Sequence, residues 1–434
     1  MTPTLQDLKQ GKLLGAKTLK LACGLENFPN EIFSLADTLE VLDLSDNNLS
    51  ELPENLSQLK HLKIIFFARN KFTVFPKVLA SCKSLKMIGF KSNQIETVPE
   101  NAFPKFMNWL ILTDNQIKVL PKSIGDCQLL QKFLIAGNQL SELPIELQKC
   151  THLELLRVAA NKLTSIPDWL LEMPKLSWLA FGGNNIPLNV NHSNRLAEYN
   201  YEDFDVKEIL GEGASGIISK AVWASENKPV ALKIFRGSVT SDGLPDDEMQ
   251  VSMAAGNHKN LIPVLGKIKN HPEQRSGLIL QLISPEYKNL GNPPSLDSCT
   301  RDTFDNNATL SATEILNLAK SIASVAAHLH LQGINHGDLY AHNILIGSEG
   351  KCVFSDFGAA SFYDKTATHS KSIEKLEVRA YACFLEDILG LITDRKGNSD
   401  FINSIEKTIK ACKNPIVNLR PDFIEISQIL NPLF

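Results

Sequence analysis

The first half of the chain repeats one arrangement of hydrophobic and polar positions. From Leu39 onward the pattern is L-x-x-L-x-L-x-x-N-x-L with hydrophobic substitutions, and its asparagines fall at positions 47, 70, 93, 115, 138, 161 and 184. The step between them is 23 residues, except for one step of 22. Alternating apolar positions predict one short strand in each repeat. Because such a strand cannot bury its apolar side alone, neighbouring repeats should stack with their strands parallel.

This period and the placement of the asparagine resemble the leucine-rich repeat. A weaker copy around Leu19, Leu21 and Leu25 predicts an N-terminal cap, which gives about seven to eight repeats. The resemblance implies an α/β solenoid over residues 1–188, in which each asparagine side chain bonds backbone groups where the chain leaves a strand. Leu-Pro pairs such as Leu120-Pro121 are expected to fix the turns on the convex side, since a residue before proline favours an extended backbone.

The concave face of this array carries large apolar side chains. Alternation along each strand sends the leucines inward and leaves the third and fifth repeat positions facing out. These positions include Phe66, Trp109, Ile111, Leu134 and Trp178. Monomers rarely leave large contiguous apolar patches in water, so the columns predict a protein-binding surface. Two occupants remain open: an external protein, which the sequence does not name, or the second half of this chain.

The repeats stop after Ile186, and residues 189–203 are interpreted as a polar linker. A strand from Val206 to Leu210 then leads into G-E-G-A-S-G at residues 211–216, and V-A-L-K follows, ending at Lys233. A dinucleotide-binding turn would need a helix directly after the last glycine, whereas the following apolar residues favour a strand. In a hairpin tip of this kind, backbone amides can approach phosphates, and Lys233 on the next strand can reach them.

The stretch from His336 to Gly358, HGDLYAHNILIGSEGKCVFSDFG, contains two carboxylates and an amide at a suggestive spacing. Phosphoryl transfer from a nucleotide requires oxygen ligands for Mg²⁺ and a carboxylate that orients the acceptor hydroxyl. Asp338, Asn343 and Asp356 supply these groups. The apolar runs on either side of a glycine-containing turn predict a hairpin that carries Asn343 on one side and Asp356 on the other.

Taken in order, these motifs resemble the protein kinase domain over residues 204–434, which implies an α+β bilobal fold. By this resemblance Lys233 holds phosphates and forms an ion pair with Glu248, Asp338 orients the acceptor, and Asn343 and Asp356 bind Mg²⁺. Lys233, Asp338 and Asn343 form the implied catalytic set. The implied ATP site consists of Leu210, Gly211, Glu212, Gly213, Ala214, Ser215, Gly216, Ile218, Ala231, Lys233, Gln281 and Ile283. As a whole the chain resembles bacterial-type proteins that join leucine-rich repeats to a compact kinase domain.

Three departures from the kinase pattern bear on the acceptor. Gly337 replaces an arginine that many kinases use to sense activation-loop phosphorylation, and Tyr340 stands where serine/threonine kinases usually carry a lysine. Only 18 residues separate Gly358 from Glu377, which is interpreted as the acidic brace of the catalytic loop. A serine/threonine protein kinase that recruits its substrate through the repeats is the leading hypothesis. The alternatives are a kinase for a small-molecule hydroxyl and a pseudokinase that acts as an interaction scaffold.

Composition narrows the remaining possibilities. The formal charge of −4 over 434 residues, without a basic run, argues against nucleic-acid binding. No apolar run approaches the ~18 residues of a membrane span, and the N-terminus does not resemble a signal peptide, so a cytoplasmic location is expected. Of the eight cysteines, Cys82, Cys127 and Cys150 each precede a repeat leucine by three residues and are predicted to be buried.

Overall fold

The computed structural model describes residues 3–188, 196–237, 239–368 and 370–433. The described residues form two compact units. The first unit extends to Lys175 and also includes Asn184–Ile186, and the second contains Leu176–Gly183 and the residues from Pro187 onward. The domain boundaries expected from the sequence remain a prediction, and residues 189–195 of the expected linker lie outside the described residues.

The first unit is built on short parallel strands, as the repeat pattern predicts. Its described strands, β1 to β7, are Thr18–Lys20, Val41–Asp43, Ile64–Phe66, Met87–Gly89, Trp109–Ile111, Lys132–Leu134 and Leu155–Arg157. Each pairs with the next in register, so that equivalent repeat positions stand side by side. Helix α1 (Leu5–Lys9) precedes them and helix α2 (Asp168–Leu171) follows. The parallel sheet is consistent with a solenoid, and the number of repeats stays a prediction.

The repeat asparagines bond the backbone, as expected. Asn93 Nδ2 donates to Phe67 O at 2.9 Å and to Phe90 O at 3.2 Å, and Asn93 Oδ1 accepts from Phe72 N at 3.2 Å. The same side chain thus satisfies backbone groups of two successive repeats. The residue before it, Ser92, has a φ of 54°, which turns the chain off the strand. Equivalent bonds are made by Asn47, Asn70, Asn115, Asn138 and Asn161.

Prolines begin most of the turns opposite the strands. Pro29, Pro76, Pro121 and Pro144 are each the extended residue directly before a short 3₁₀ helix, where the missing N–H costs no helical bond. These helices are Asn30–Leu35, Lys77–Ser81, Lys122–Asp126 and Ile145–Lys149, and another spans Leu56–Gln58. The inward leucines are fully buried, and so are the three repeat cysteines, as predicted. Burial raises the pKa of Cys82 to about 11 and of Cys127 and Cys150 to about 12.

The concave columns are less exposed than the sequence suggests. Phe66, Trp109 and Ile111 are partly buried. Leu134 stands between Ile111 and Arg157 in the same row of the sheet and is only 7 % exposed. Trp178 is 1 % exposed and belongs to the second unit. Leu134 and Trp178 are therefore not available as a free binding surface. For Trp178 the occupant is the second half of this chain, one of the two alternatives left open by the sequence, because its ring is stacked on a tyrosine described below.

The second unit begins with β8 (Trp178–Ala180) and continues with a mixed sheet. The strands of this sheet are β9 (Glu198–Asn200), β10 (Phe204–Glu212), β11 (Gly216–Trp223), β12 (Lys228–Phe235), β13 (Val264–Lys269) and β14 (Gly277–Gln281), in the order β10-β11-β12-β14-β13-β9. Strand β9 is parallel to β13 and the other pairs are antiparallel. Residues 198–200, expected in the linker, therefore form an edge strand because they complete the hydrogen bonds of β13. Helix α3 (Pro245–Ala254) lies between β12 and β13 in the chain.

The remainder of the second unit is mainly helical. Its helices are α4 (Ala312–Leu331), α5 (Ser370–Gly390), α6 (Ser399–Cys412) and α7 (Phe423–Leu430), and its short strands are β15 (Lys288–Asn289), β16 (Ile334–Asn335), β17 (Ile344–Ile346), β18 (Cys352–Phe354) and β19 (Ser361–Phe362). A reciprocal cap between Ser311 and Glu314 starts α4, with Glu314 N donating to Ser311 Oγ at 3.2 Å. Across the described ranges, no helix combines the length and the apolar character needed to cross a bilayer.

Candidate active site

The glycine-rich segment forms the tip of a hairpin, as the strand-turn-strand interpretation requires. It joins β10 to β11, and Gly213 N donates to Gly216 O at 2.9 Å across the tip. A Cβ atom added at Gly216 would lie 2.4 Å from Ile234 O, so only glycine allows β11 to pair so closely with β12 there. Gly211 and Gly213 have nothing within 4 Å of an added Cβ. An added Cβ at either position would therefore point into open space.

Lys233 and Glu248 form a buried, hydrogen-bonded ion pair. Lys233 lies on β12 opposite Ile218, on the strand face that also carries Phe235, whose ring contacts Met249 of α3. Glu248 is 2 % exposed on α3, so its charge depends on this partner. Burial alone would lower the pKa of Lys233, but the charges of Glu248 and Asp356 raise it. Lys233 is therefore a cation at neutral pH, and Asp356 lies close enough to interact with it.

Asp338 and Asn343 are joined within the catalytic loop. Asn343 Nδ2 donates to Asp338 Oδ2 at 2.8 Å and to Asp338 O at 2.9 Å. The predicted hairpin follows, with β17 antiparallel to β18 and Ser355 N donating to Asn343 O at 2.9 Å. Asp356 comes next with a φ of 58°, and its Oδ1 accepts from Gly358 N at 3.1 Å. The hairpin thus brings the catalytic loop and Asp356 to one end of the same pair of strands.

Glu377 of α5 accepts hydrogen bonds from the backbone of the catalytic loop. Glu377 Oε1 accepts from Gly337 N at 2.8 Å, and Oε2 accepts from His336 N at 3.3 Å. Its Oε2 also lies 2.8 Å from His330 Nε2. His336 stacks on Phe354 with the ring centroids 4.0 Å apart. Burial lowers the pKa of His336, so it packs as a neutral ring.

A second acidic side chain, Asp302, bonds the catalytic loop and was not predicted from the sequence. Asp302 Oδ1 lies 2.7 Å from His342 Nδ1, and Asp302 Oδ2 accepts from His342 N at 2.9 Å. Burial alone would lower the pKa of His342, but the bond to Asp302 and the charge of Asp338 raise it. The only hint in the sequence was a histidine directly before Asn343, because Asp302 is 40 residues away along the chain.

The remaining residues expected at the ATP site lie on neighbouring strands of the sheet. Ala231 is 6 % exposed on β12, and Gln281 ends β14, where it pairs with Val230. Leu210 on β10 is 49 % exposed. Ile283 follows β14 and is partly buried. Their contact with ATP stays a prediction.

The donor set suits Mg²⁺, which prefers carboxylate and carbonyl oxygens. Both Asn343 Nδ2 bonds go to Asp338, so the amide nitrogen is already used and the amide oxygen is the atom left for a metal. Asp356 is exposed and uses Oδ1 for Gly358, which leaves Oδ2 as a ligand. Within the described ranges, no group of three or more histidine, cysteine or acidic side chains forms a metal site by itself. A bound Mg²⁺ would therefore take further ligands from the nucleotide.

Comparison with known proteins agrees with this geometry. Residues 204–379 match the family model of the protein kinase domain. Residues 37–95 match the leucine-rich repeat model. The chain therefore carries a kinase domain and leucine-rich repeats, and the named relatives of the kinase domain are eukaryotic, so the expected bacterial-type origin is not supported by them.

The similar curated proteins share only part of their length with this chain. Fibroblast growth factor receptor 1 of Pleurodeles waltl is 26 % identical over 193 residues, which cover 39 % of this chain and 23 % of the receptor. Activin receptor type-1 of Gallus gallus is 28 % identical over 179 residues, 39 % of this chain and 32 % of the receptor. A serine/threonine-protein kinase of Candida albicans is 24 % identical over 187 residues, 41 % of this chain and 25 % of the relative. The chain thus spans about a quarter to a third of these relatives.

Proposed function

We propose that this protein transfers the γ-phosphate of ATP to a hydroxyl group on another protein, with serine or threonine as the acceptor. The observation that carries the proposal is the buried Lys233–Glu248 ion pair beside Asp356. It fixes a cation on the strand next to the glycine hairpin, where the phosphates of a nucleotide are expected. A lysine held only for stability would more simply lie at the surface, because burying an ion pair is costly.

The other groups of the site take complementary roles. Asp338 orients the acceptor hydroxyl and accepts its proton, and Asn343 keeps the Asp338 carboxylate in place through its 2.8 Å bond. The glycine hairpin and Lys233 hold the phosphates, and ADP leaves as the new phosphate ester forms. Mg²⁺ held by Asn343 and Asp356 would neutralise charge on the β- and γ-phosphates. Positioning and electrostatic stabilisation account for the catalysis in this mechanism.

Asp338→Asn tests the enzymatic part of the proposal. The substitution keeps the size of the side chain but removes the proton acceptor, so we expect phosphate transfer to fall at least ~100-fold while ATP binding stays within about twofold. Autophosphorylation with radiolabelled ATP and nucleotide binding by calorimetry measure the two quantities. Asp297→Asn, at an exposed loop position, is the matched control. A wild-type protein that binds ATP but phosphorylates neither itself nor test proteins would instead support an interaction scaffold.

The acceptor class requires a separate measurement. Mass spectrometry of the autophosphorylated protein should find phosphoserine or phosphothreonine. Phosphotyrosine would contradict the choice of acceptor, and phosphorylation of sugars or other small-molecule hydroxyls without any protein product would favour a small-molecule kinase. Of the three similar proteins described above, one is named a serine/threonine-protein kinase and two are named receptors. We also propose a cytoplasmic location, which microscopy of the tagged full chain tests.

We further propose that the repeats bind a protein partner or substrate through the partly buried columns of the first unit. Phe66 lies on β3, and Trp109 and Ile111 lie on β5, with β4 between the two strands. Trp109 Nε1 is buried and, among the described residues, no hydrogen-bond partner is found for it. Lys132 Nζ lies 4.1 Å from the centre of its ring, which adds a cation at the same place. The site therefore offers apolar area and a nearby cation to a partner.

The measurement for this site compares two substrates. Phe66→Ala combined with Trp109→Ala should lower phosphorylation of proteins in a lysate relative to phosphorylation of a short peptide, because only the former can be tethered by the repeats. Val119→Ala removes an apolar side chain that is 68 % exposed outside the strands and serves as the control. A ratio that stays the same in the double variant would remove the repeats from substrate selection.

A further inference from the structure

The last repeat strand contacts the catalytic loop. The ring of Trp178 stacks on the ring of Tyr340, with centroids 4.5 Å apart and 5° between the planes. Trp178 Nε1 donates to Leu339 O at 3.1 Å. Leu339 and Tyr340 directly follow Asp338, so one side chain restrains the backbone and the ring of the two residues next to the proposed proton acceptor.

The residues around Trp178 hold both strands of the small β16–β19 sheet. Asn335 Nδ2 on β16 donates to Leu179 O at 2.8 Å. Phe181 N and Gly182 N donate to Ser361 Oγ on β19 at 2.9 and 3.0 Å. Strand β16 leads into the catalytic loop, and β19 comes shortly after Asp-Phe-Gly. The segment 179–182 therefore bonds the chain both before the catalytic loop and after Asp-Phe-Gly.

The glycine at position 337 fits this arrangement. Its φ is +69°, and an added Cβ would lie 2.6 Å from Leu179 O and 2.8 Å from Ala359 O. A residue with a side chain would therefore push the repeat strand away from the loop. Arg379 Nη1 also donates to Ser177 Oγ at 2.6 Å, and this arginine stands on α5 near the glutamate that braces the same loop. The absence of an arginine at position 337 thus has a local steric reason.

We propose that Trp178, with its segment Leu176–Gly183, acts as a positioning element for phosphoryl transfer by holding the Asp338 loop in its working conformation. This inference rests on the proposed kinase activity and adds a regulatory consequence to it. All the bonds above are made by backbone groups, neutral side chains and one arginine, so no phosphorylated residue is needed to form them. The catalytic loop is therefore set by the folding of the chain itself, and activity should not require phosphorylation of residues 359–368.

Kinetics of the full-length protein test the role of Trp178. Trp178→Ala should lower kcat about 10- to 100-fold and leave the KM for ATP within about twofold, because a displacement of about 1 Å in a reacting group has effects of this order. Trp178→Phe keeps the stacking and loses the indole donor, so it should recover most of the loss. Trp169→Ala, at a partly buried position on α2, controls for deletion of a tryptophan. Treatment with a phosphatase should leave the wild-type kcat unchanged.

A second variant and a second measurement separate positioning from unfolding. Ser361→Ala removes only the hydroxyl that accepts from Phe181 N and Gly182 N, and should lower kcat about three- to tenfold. Hydrogen exchange of the amides in residues 335–343 should become faster in Trp178→Ala and stay unchanged in Trp169→Ala. An unchanged or increased kcat with folded protein, loss of ATP binding along with kcat, or unchanged exchange would each overturn the proposal. If the wild type transfers no phosphate, the proposed function fails, and the exchange data still decide whether Trp178 holds the loop.

Discussion

Glu377→Gln tests how much the brace beneath the catalytic loop stabilises the protein. Glu377 is 1 % exposed and accepts from two successive backbone amides, Gly337 N at 2.8 Å and His336 N at 3.3 Å. Burial opposes its charge, but the contact with His330 and these bonds outweigh burial and lower its pKa. Glutamine has nearly the same shape but offers one acceptor oxygen where the carboxylate has two. One backbone N–H must then face an amide donor.

The expected loss follows from the bonds that are removed. A hydrogen bond to a charged group contributes ~1.5–3 kcal/mol, and a buried donor left without a partner costs ~1–3 kcal/mol. Because the two terms overlap, we expect the free energy of unfolding to fall by about 3 kcal/mol at pH 7. For a unit of this size each kcal/mol corresponds to about 2–4 °C, so Tm should fall by about 6–12 °C. Phosphate transfer should fall as well, since the loop that carries Asp338 loses its support.

The pH dependence of the Tm difference tests whether the charged Glu377 carboxylate is the cause of the loss. A carboxylate whose folded pKa lies below its unfolded value of about 4.3 contributes stability above that value and loses it as pH falls through the folded pKa. The difference in Tm between wild type and Glu377→Gln should therefore be constant from about pH 8 to 5.5 and shrink in stronger acid. Thermal scans across this range measure it, with the exposed Glu406→Gln as control. Equal Tm values at pH 7, or a difference that persists unchanged in acid, would refute the reasoning.

Three further outcomes are expected. Asn93→Ala removes a buried side chain with bonds to two repeats, so the free energy of unfolding of the first unit should fall by about 2–4 kcal/mol. Urea titration measures it, and Gln94→Ala at the exposed neighbouring position should change it by less than about 0.5 kcal/mol. Because the pKa of His342 is raised in the folded protein, its pairing with Asp302 stabilises the fold fully below the unfolded pKa of about 6.5 and less as pH rises through the folded pKa. Asp302→Asn should therefore lower Tm more at pH 6 than at pH 9. Cys23 is exposed and the other cysteines are buried, so a maleimide should label about one thiol in native protein and about eight in denaturant by mass spectrometry.

The local features of the fold follow closely from the sequence. The same short pattern recurs several times, so the parallel strands and the buried cysteines such as Cys82 could be predicted from its spacing. The asparagine bonds followed from the resemblance to the leucine-rich repeat. The glycine hairpin and the hairpin after Asn343 were equally readable, because turn residues and apolar runs are adjacent in the chain. In each case the residues that determine the structure lie within about one repeat or one hairpin.

Contacts across long separations were not readable in the same way. Apolar residues at the concave positions looked alike in sequence, yet Trp178 is stacked on Tyr340, 162 positions away by number, while Trp109 is only partly buried. Asp302 was missed beside His342 for the same reason. An alternating pattern predicts which side chains lie on one face of a strand, but it does not predict what covers that face. Only the tertiary fold distinguishes a docking surface from an internal contact.

The position of Trp178 also changes where the catalytic part of the chain should be taken to begin. Asn184 still serves the repeats, since its Oδ1 accepts from Leu163 N at 3.0 Å and its Nδ2 donates to Val158 O at 3.0 Å. The eight residues before it, Leu176–Gly183, instead belong to the second unit. A boundary drawn at residue 204, where the kinase motifs start, therefore removes a strand that bonds the catalytic loop. We expect a fragment of residues 196–434 to expose Tyr340 and to exchange the amides of residues 335–343 faster than the full chain does. Equal exchange in the two proteins would mean that the loop holds its conformation without the last repeat.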